Sequence, residues 1–109
     1  MNRQVKIVVT VPLADAEKVR DALGRAGAGR QGNYQFCSYS VLGKGRFLPT
    51  AGAKPAIGEV GKPEVVEEER IEVTCDREVA KSAIAVMKAA HPHEEVAYDI
   101  YDLVDPGSL

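Results

Sequence analysis

Apolar residues alternate with polar ones near the start of the chain, and the pattern then changes to a helical repeat. In the run 4–11 the side chains that share one face are Val5, Ile7, Val9 and Val11. This period of two predicts a strand with one buried face. From Pro12 the apolar residues recur every three or four positions, which predicts a helix over 13–26 because proline is favoured in a first helical turn.

The same two patterns return in the second half of the chain. Alternation in the run 65–75 predicts a strand, and Asp76 is then a suitable N-cap for a helix over 77–90. The predicted inward side of that helix comprises Val79, Ala83, Val86, Met87 and Ala90. Pro92 disfavours helical backbone at the residue before it, so the helix ends there and a last strand is predicted over 95–103.

Between these halves lie a predicted strand, 33–42, and a segment, 43–63, without any hydrophobic period. The segment 43–63 holds five of the ten glycines and three of the six prolines. Glycine permits turns and proline restricts φ, so a shaped loop is predicted rather than a flexible linker. We expect Phe47, Leu48 and Ile57 to pack on the body or on a neighbouring subunit and order this loop.

The order β-α-β-β-α-β predicts an α+β fold of the ferredoxin-like type. Four antiparallel strands would carry both helices on one face, with the long Gly/Pro loop between the second and third strands. Residues 1–104 are assigned to one domain and 105–109 to a flexible tail. The second strand has apolar bulk on both of its sides, so the face without helices is expected to pack against another copy.

Composition narrows the class of protein. The 109 residues are 45% hydrophobic, with a net charge of −2, which favours neither a nucleic-acid binder nor a membrane-surface protein. No apolar run approaches the roughly 20 residues needed to cross a bilayer, and no signal segment is recognised. The two cysteines, Cys37 and Cys75, are isolated. Reduced thiols in a cytoplasmic protein are therefore expected.

Charge is distributed unevenly, and this suggests one candidate binding surface. Residues 25–62 hold six basic side chains against a single acidic one, whereas residues 63–109 are strongly acidic. Four of the basic residues lie in the loop: Lys44, Arg46, Lys54 and Lys62. Because glycine-rich backbone can direct N–H groups at an anion, these residues are candidates for a rim that binds a small anionic effector. The alternative is a solvated surface.

A second candidate site has metal-ligand chemistry. The residues His91, His93, Glu94 and Glu95 lie together after the second predicted helix. Imidazole and carboxylate suit zinc, nickel or copper, and residues two apart in extended backbone project to one side. The alternative is that a histidine here complements the helix dipole and Pro92 merely ends the helix. No cofactor is otherwise predicted, and a divalent transition metal stays open.

No catalytic residue is predicted. The glycine-lysine pairs at 43–45 and 61–62 lack the spacing of a phosphate-binding loop or a dinucleotide fingerprint. Ser38 and Ser40 have no histidine nearby in the sequence. We therefore expect a protein that is not an enzyme.

Several motifs resemble the domain inserted within Nif-three-like proteins, including the YqfO-type bacterial chains. They are Gly32-Asn-Tyr-Gln-Phe-Cys-Ser-Tyr39, Gly43-Lys-Gly-Arg-Phe-Leu-Pro49, Gly52-Ala-Lys-Pro-Ala-Ile-Gly58 and His91-Pro-His-Glu-Glu-Val-Ala-Tyr-Asp-Ile-Tyr101. The family has tyrosine where this chain has His93 and proline where it has Val96. The resemblance supports a structural role for His91, which recurs in the family, and the replacement at His93 is what favours a metal.

The resemblance implies a fold similar to the PII signalling and CutA divalent-cation-tolerance proteins, which are trimeric. It therefore implies a homo-oligomer, with a trimer expected first and a dimer second. The cyclohydrolase-type name of full-length members is not carried over, because the halves that hold their metal ligands are absent from these residues. Three functions follow as alternatives: a ligand-sensing or regulatory module, a divalent-metal-binding protein, or a scaffold without a small ligand.

Overall fold

The computed structural model describes residues 3–109 and contains four strands and two α-helices within that range. In chain order these elements are β1 (Gln4–Pro12), α1 (Ala16–Arg25), β2 (Tyr39–Phe47), β3 (Glu64–Asp76), α2 (Arg77–Ala90) and β4 (Tyr98–Asp102). Short 3-10 turns lie at Leu13–Asp15 and Pro106–Ser108. The strands form one antiparallel sheet in the order β2-β3-β1-β4. The predicted ferredoxin-like α+β fold is confirmed.

The core lies between the two helices and one face of the sheet. The alternation in β1 places Val5, Ile7 and Val9 opposite Cys75, Val73 and Ile71 of β3, and all of these are buried. The helices contribute the buried residues Ala16, Val19, Leu23, Ala80, Ala83 and Met87. Fully burying an aliphatic side chain stabilises a fold by about 1.5–3 kcal/mol, so this layer supplies most of the stabilisation.

The other side of the sheet, which we call the open face, carries no helix. It presents Lys6, Val8 and Thr10 of β1 beside Glu72 and Arg70 of β3. Val8 is nevertheless only 2% exposed. Glu72, directly opposite Val8, accepts hydrogen bonds of 3.2 Å from both Lys6 and Arg70, so long side chains lie around the valine. Long polar side chains thus shield part of this face through their stems.

Strand β2 differs from the predicted strand at both ends, since it begins at Tyr39 and continues to Phe47. The segment before it turns tightly instead: Gln31 and Tyr34 exchange backbone hydrogen bonds of 2.9 Å, and Phe36 has a φ of 58°. Strand propensity in residues 33–38 is therefore overridden by local turn geometry.

Residues 43–47, at the start of the predicted loop, belong to β2 because β3 supplies hydrogen-bond partners for them. β3 is 13 residues long, and its ladder with β2 runs from Tyr39↔Glu72 to Phe47↔Glu64. From Glu64 to Glu67, β3 pairs with β2 alone, because β1 ends at Pro12, opposite Glu68. A two-stranded ribbon therefore projects from the body, and the molecule measures 49 × 26 × 23 Å.

Smaller differences from the predicted elements concern β4 and α2. Strand β4 is shorter than predicted, and Val86 of α2 is 43% exposed, whereas Ala80 takes the inward position.

At the chain end, the Asp105 carboxylate accepts a hydrogen bond from the backbone N–H of Gly107 and caps a short turn. Within residues 3–109, no helix has both the length and the apolar character to cross a membrane.

Candidate functional site

A cavity of about 610 Å³ lies between the open face, the loop 48–63 and the segment that follows α2. We call it the loop cavity. The sheet contributes Thr10, Val41, Gly43, Lys44, Gly45, Arg46, Phe47, Glu68 and Arg70. The loop contributes Leu48, Pro49, Thr50, Ala53, Pro55, Ala56 and Ile57, and the segment after α2 contributes His93, Glu94, Glu95 and Ala97. This volume is typical of small-molecule sites, and the greater part of the surface that lines the cavity is apolar.

The two glycines in β2 form the floor of the loop cavity. By register Gly43 and Gly45 lie opposite Glu68 and Val66. The Glu68 carboxylate lies over Gly45, where a Cβ would come within 1.8 Å of its Oε1 atom. A Cβ at Gly43 would meet no atom within 4 Å. The floor is therefore open above Gly43, whereas the Glu68 carboxylate occupies the space above Gly45.

The loop 48–63 contains turns and bends, lines the cavity through residues 48–57, and is held by hydrogen bonds of its backbone. The Gly61 N–H donates to the Pro49 carbonyl at 2.8 Å, and the Lys54 N–H donates to the Glu94 carboxylate at 2.7 Å. Ala53, Pro55 and Ile57 are half-buried, whereas Lys54 and Ala56 between them are exposed. The Lys54–Glu94 bond connects the loop to the segment after α2 on the far side of the cavity.

The three side chains expected to order the loop lie at different depths. Phe47 is half-buried and contacts the His93 ring edge-to-face, with 6.0 Å between the ring centroids. Ile57 is also half-buried, but Leu48 is 53% exposed. All three line the cavity.

His91 is a structural residue at the end of α2. It is 7% exposed, and its Nε2 lies 2.8 Å from the Thr10 carbonyl of β1, while its Nδ1 accepts a hydrogen bond of 3.1 Å from the His93 N–H. These two bonds together define the neutral tautomer with its proton on Nε2. Burial lowers the pKa of His91, and the hydrogen bond to Thr10 opposes this only in part.

His93 lies between Phe47 and His91, at one wall of the loop cavity. Its ring centroid is 5.1 Å from that of His91, and the two rings are inclined at 61°. The Nε2 atom of His93 is buried, and among residues 3–109 it has no hydrogen-bond partner. An unpaired buried nitrogen is destabilising, so it is an unusual feature for a purely structural position.

The predicted metal ligands are close in space but are not arranged as a chelating set. Both ring nitrogens of His91 are engaged, and one oxygen of Glu94 accepts the Lys54 N–H. In the described part of the chain, no group of three or more His, Cys, Asp or Glu side chains could hold a metal ion. His93, Glu94 and Glu95 instead share the wall of the loop cavity.

The four predicted anion-binding residues are divided between two environments. Lys44 and Arg46 belong to the strand that lines the cavity, but Lys54 and Lys62 do not line it. Lys54 offers its backbone N–H to Glu94, and the Lys62 ammonium pairs with Glu59 at 2.9 Å. The structure therefore does not bring the four side chains to one rim.

Sequence patterns missed the sheet residues of the site, above all Glu68 and Arg70. Both lie in an acidic, alternating stretch that is also typical of a solvated strand. The spacing Gly43-Lys-Gly45 was a usable signal, since glycine at alternate positions of a strand removes side chains from one face. Which residue of β3 lies over that gap depends on the register.

Solved structures with this fold identify its class. The chain superimposes with a TM-score of 0.68 on CutA from Archaeoglobus fulgidus, at 19% identity, covering 94% of this chain and 85% of that one. For GlnK from Bacillus subtilis the TM-score is 0.61 at 17% identity, with 93% and 85% covered. At these identities the likeness shows the fold alone, which is the PII/CutA-like form of the ferredoxin-like architecture.

Sequence relatives are longer proteins. A Bacillus cereus protein related to NIF3 has 45% identity and a TM-score of 0.83, covering 95% of this chain and 26% of that one. The proteins named GTP cyclohydrolase 1 type 2 homolog are 52% identical in Bacillus subtilis and 50% identical in Mycobacterium tuberculosis. These alignments cover 88% and 93% of this chain.

The chain spans about a quarter of the length of these relatives, 26% and 27% respectively. No family model matches it. The resemblance to Nif-three-like proteins is confirmed, and it is confined to one segment of them with the PII/CutA-like fold. The activity in the relatives' name refers to the longer proteins.

We predict that His91 makes stability depend on pH. Its pKa is lowered in the folded state, so the unfolded chain binds the extra proton first as pH falls. The contribution of neutral His91 is complete above its ordinary pKa of about 6.5 and is lost progressively at lower pH. Between about pH 7.5 and 5.5, the free energy of unfolding measured in urea should fall more for the wild type than for His91→Gln, which does not titrate. Parallel curves would contradict this prediction.

We predict opposite effects for alanine at the two floor glycines. Gly43→Ala should leave the free energy of unfolding unchanged or raise it by about 0.5 kcal/mol, because it meets open space and restricts the unfolded chain. Gly45→Ala should lower it by about 1 kcal/mol, because the new methyl group must displace the Glu68 carboxylate. Chemical denaturation measures both. In a Glu68→Ala background the penalty at Gly45 should disappear, and its persistence would mean that backbone strain is the cause.

Proposed function

We propose that this chain is a non-enzymatic, ligand-sensing module that binds a small molecule in the loop cavity. The observation that carries the proposal is the cavity itself, which joins the loop 48–63, the glycine floor of β2 and the segment after α2 around one volume of about 610 Å³. Apolar walls with a few polar groups are the usual composition of a ligand site.

Sensing would follow from the position of the loop. A ligand in the cavity contacts the loop and the body together, so it binds best when the loop is in the described position and shifts the population towards it. Across the cavity from the sheet, the described loop is tied to the segment after α2 by the Lys54–Glu94 bond. A change in loop order is therefore the expected output of binding.

The divalent-metal alternative has less support from the geometry, because His91 has no free ring nitrogen.

The scaffold alternative is supported by exposed apolar and aromatic side chains on the open face. Tyr39, Val41 and Tyr101 are 67%, 43% and 44% exposed there, beside the Arg70 that also lines the loop cavity. We propose that this face mediates self-association, as a trimer in the first place, and that the cavity lies next to the subunit contact.

Filling the cavity tests the ligand proposal. Gly43→Leu places a side chain into open cavity space, and Gly43→Ala is the matched control. A panel of nucleotides, organic acids, amines and divalent metals is screened by thermal shift. A true ligand should stabilise the wild type and the alanine variant, by about 2.7 kcal/mol at one hundred times its Kd, but not the leucine variant. Equal stabilisation of all three proteins would place binding elsewhere.

Two valines of equal exposure test the self-association proposal. Val41 on the open face and Val86 on the outer side of α2 are each 43% exposed. Size-exclusion chromatography with light scattering should give a multiple of the 11.7 kDa monomer mass for the wild type. Val41→Glu should shift the protein towards monomer because it buries a charge at the contact, whereas Val86→Glu should not. A wild-type monomer at micromolar concentration would contradict the proposal.

A further inference from the structure

Some charged residues of the strands that line the loop cavity point their side chains into it, and others point them to the opposite face of the ribbon. Successive residues of a strand point to opposite faces. In β2, Gly45 lies under the Glu68 carboxylate and Phe47 contacts His93, so these positions face the cavity. The intervening residues Lys44 and Arg46 therefore direct their side chains towards the other face of the ribbon.

The remaining cation of the lining is already paired. The Arg70 Nε donates a hydrogen bond of 3.2 Å to the Glu72 carboxylate, and the neighbouring Tyr101 and Glu72 both raise the pKa of Arg70. Arg70 lines the cavity, but its charge is engaged by the Glu72 carboxylate.

The carboxylates of the lining are less occupied. Within residues 3–109, neither Glu68 nor Glu95 has an ion-pair partner within 4.0 Å, and Glu94 accepts only the Lys54 N–H. Glu68 is half-buried at the floor, and its Oε1 lies directly over Gly45. The available charge inside the loop cavity is therefore negative, although the loop itself is basic.

The rest of the lining is apolar and includes an aromatic ring. Val41, Phe47, Pro55 and Ile57 surround the floor. Apolar walls exclude water, which strengthens the attraction between a carboxylate and a cation, and the face of a phenylalanine ring also attracts cations.

From this arrangement we propose that the loop cavity takes a small amphipathic cation, that is, an ammonium group attached to an apolar body. Glu68 pairs with the ammonium group at the glycine floor, and the apolar body lies against Phe47 and the loop. This inference rests on the proposed function, since it names the ligand class of the same cavity. It also replaces the anion expected from the basic residues of the loop.

Three probes of equal chain length test the charge preference: hexyltrimethylammonium, hexanol and hexanoate. Binding to the full chain is measured by isothermal titration and by chemical-shift changes in the amides of residues 43–57. We expect the cation to bind about tenfold more tightly than hexanol, and hexanoate to bind most weakly.

Two glutamates on adjacent positions of β3 provide the matched variants. Glu68 faces the cavity, whereas Glu67 lies opposite Lys44 on the other face. Glu68→Gln should weaken binding of the cation about tenfold and leave hexanol unchanged, and Glu67→Gln should change neither.

The outcomes separate this inference from the proposed function. If hexanoate binds in the cavity as tightly as the cation, or if Glu68→Gln and Glu67→Gln behave alike, the cation inference is overturned while the cavity remains a ligand site. If the cation shifts no amide of residues 43–57, the inference is equally overturned, and the Gly43→Leu comparison decides the proposed function independently.

Discussion

The pairing of β3 with two strands that are offset along its length is the constraint on which the rest of the structure depends. Its C-terminal part, up to Asp76, pairs with β1 and carries the buried residues that contact the helices. Its N-terminal part, from Glu64, pairs only with β2 and leaves the body as a ribbon. One register thus determines both the hydrophobic core and the place where the loop begins. A shift by one residue would exchange the two faces and remove Glu68 from the glycine floor.

His91 connects this framework to the site. Its two ring nitrogens join the Thr10 carbonyl at the end of β1 to the backbone of His93. The segment that carries His93 and Glu94 is therefore oriented by a buried imidazole with both ring nitrogens hydrogen-bonded. A residue with ideal ligand chemistry serves here as a hydrogen-bonded link, because satisfying both nitrogens is what makes its burial tolerable.

The basic side chains of β2 and the carboxylate of Glu68 lie on opposite faces of the ribbon. Lys44 and Arg46 give the segment its positive composition, but strand alternation separates their side chains from the carboxylate of Glu68. Net charge along a stretch of sequence therefore says little about the polarity of a cavity that the stretch lines. The fold shared with CutA and GlnK does not decide the ligand either, since a fold accommodates many different sites.

The sequence by itself determined the element order, both helices, the buried face of β1 and β3, and the relationship to Nif-three-like proteins. These follow from periodicity, capping residues and specific motifs, all of which are local. The family resemblance also supported a structural role for His91, beside the alternative that it is a metal ligand.

The extension of β2 through Gly43 and Gly45 was decided only in the tertiary structure, since a long β3 supplies hydrogen-bond partners that outweigh the low strand propensity of glycine. The same is true of the turn around Phe36, the engagement of both His91 nitrogens and the placement of Glu68 in the cavity. Each of these depends on a contact between residues that are distant along the chain or on a backbone conformation that propensity disfavours. No local pattern specifies such features, and they are the ones that form the site.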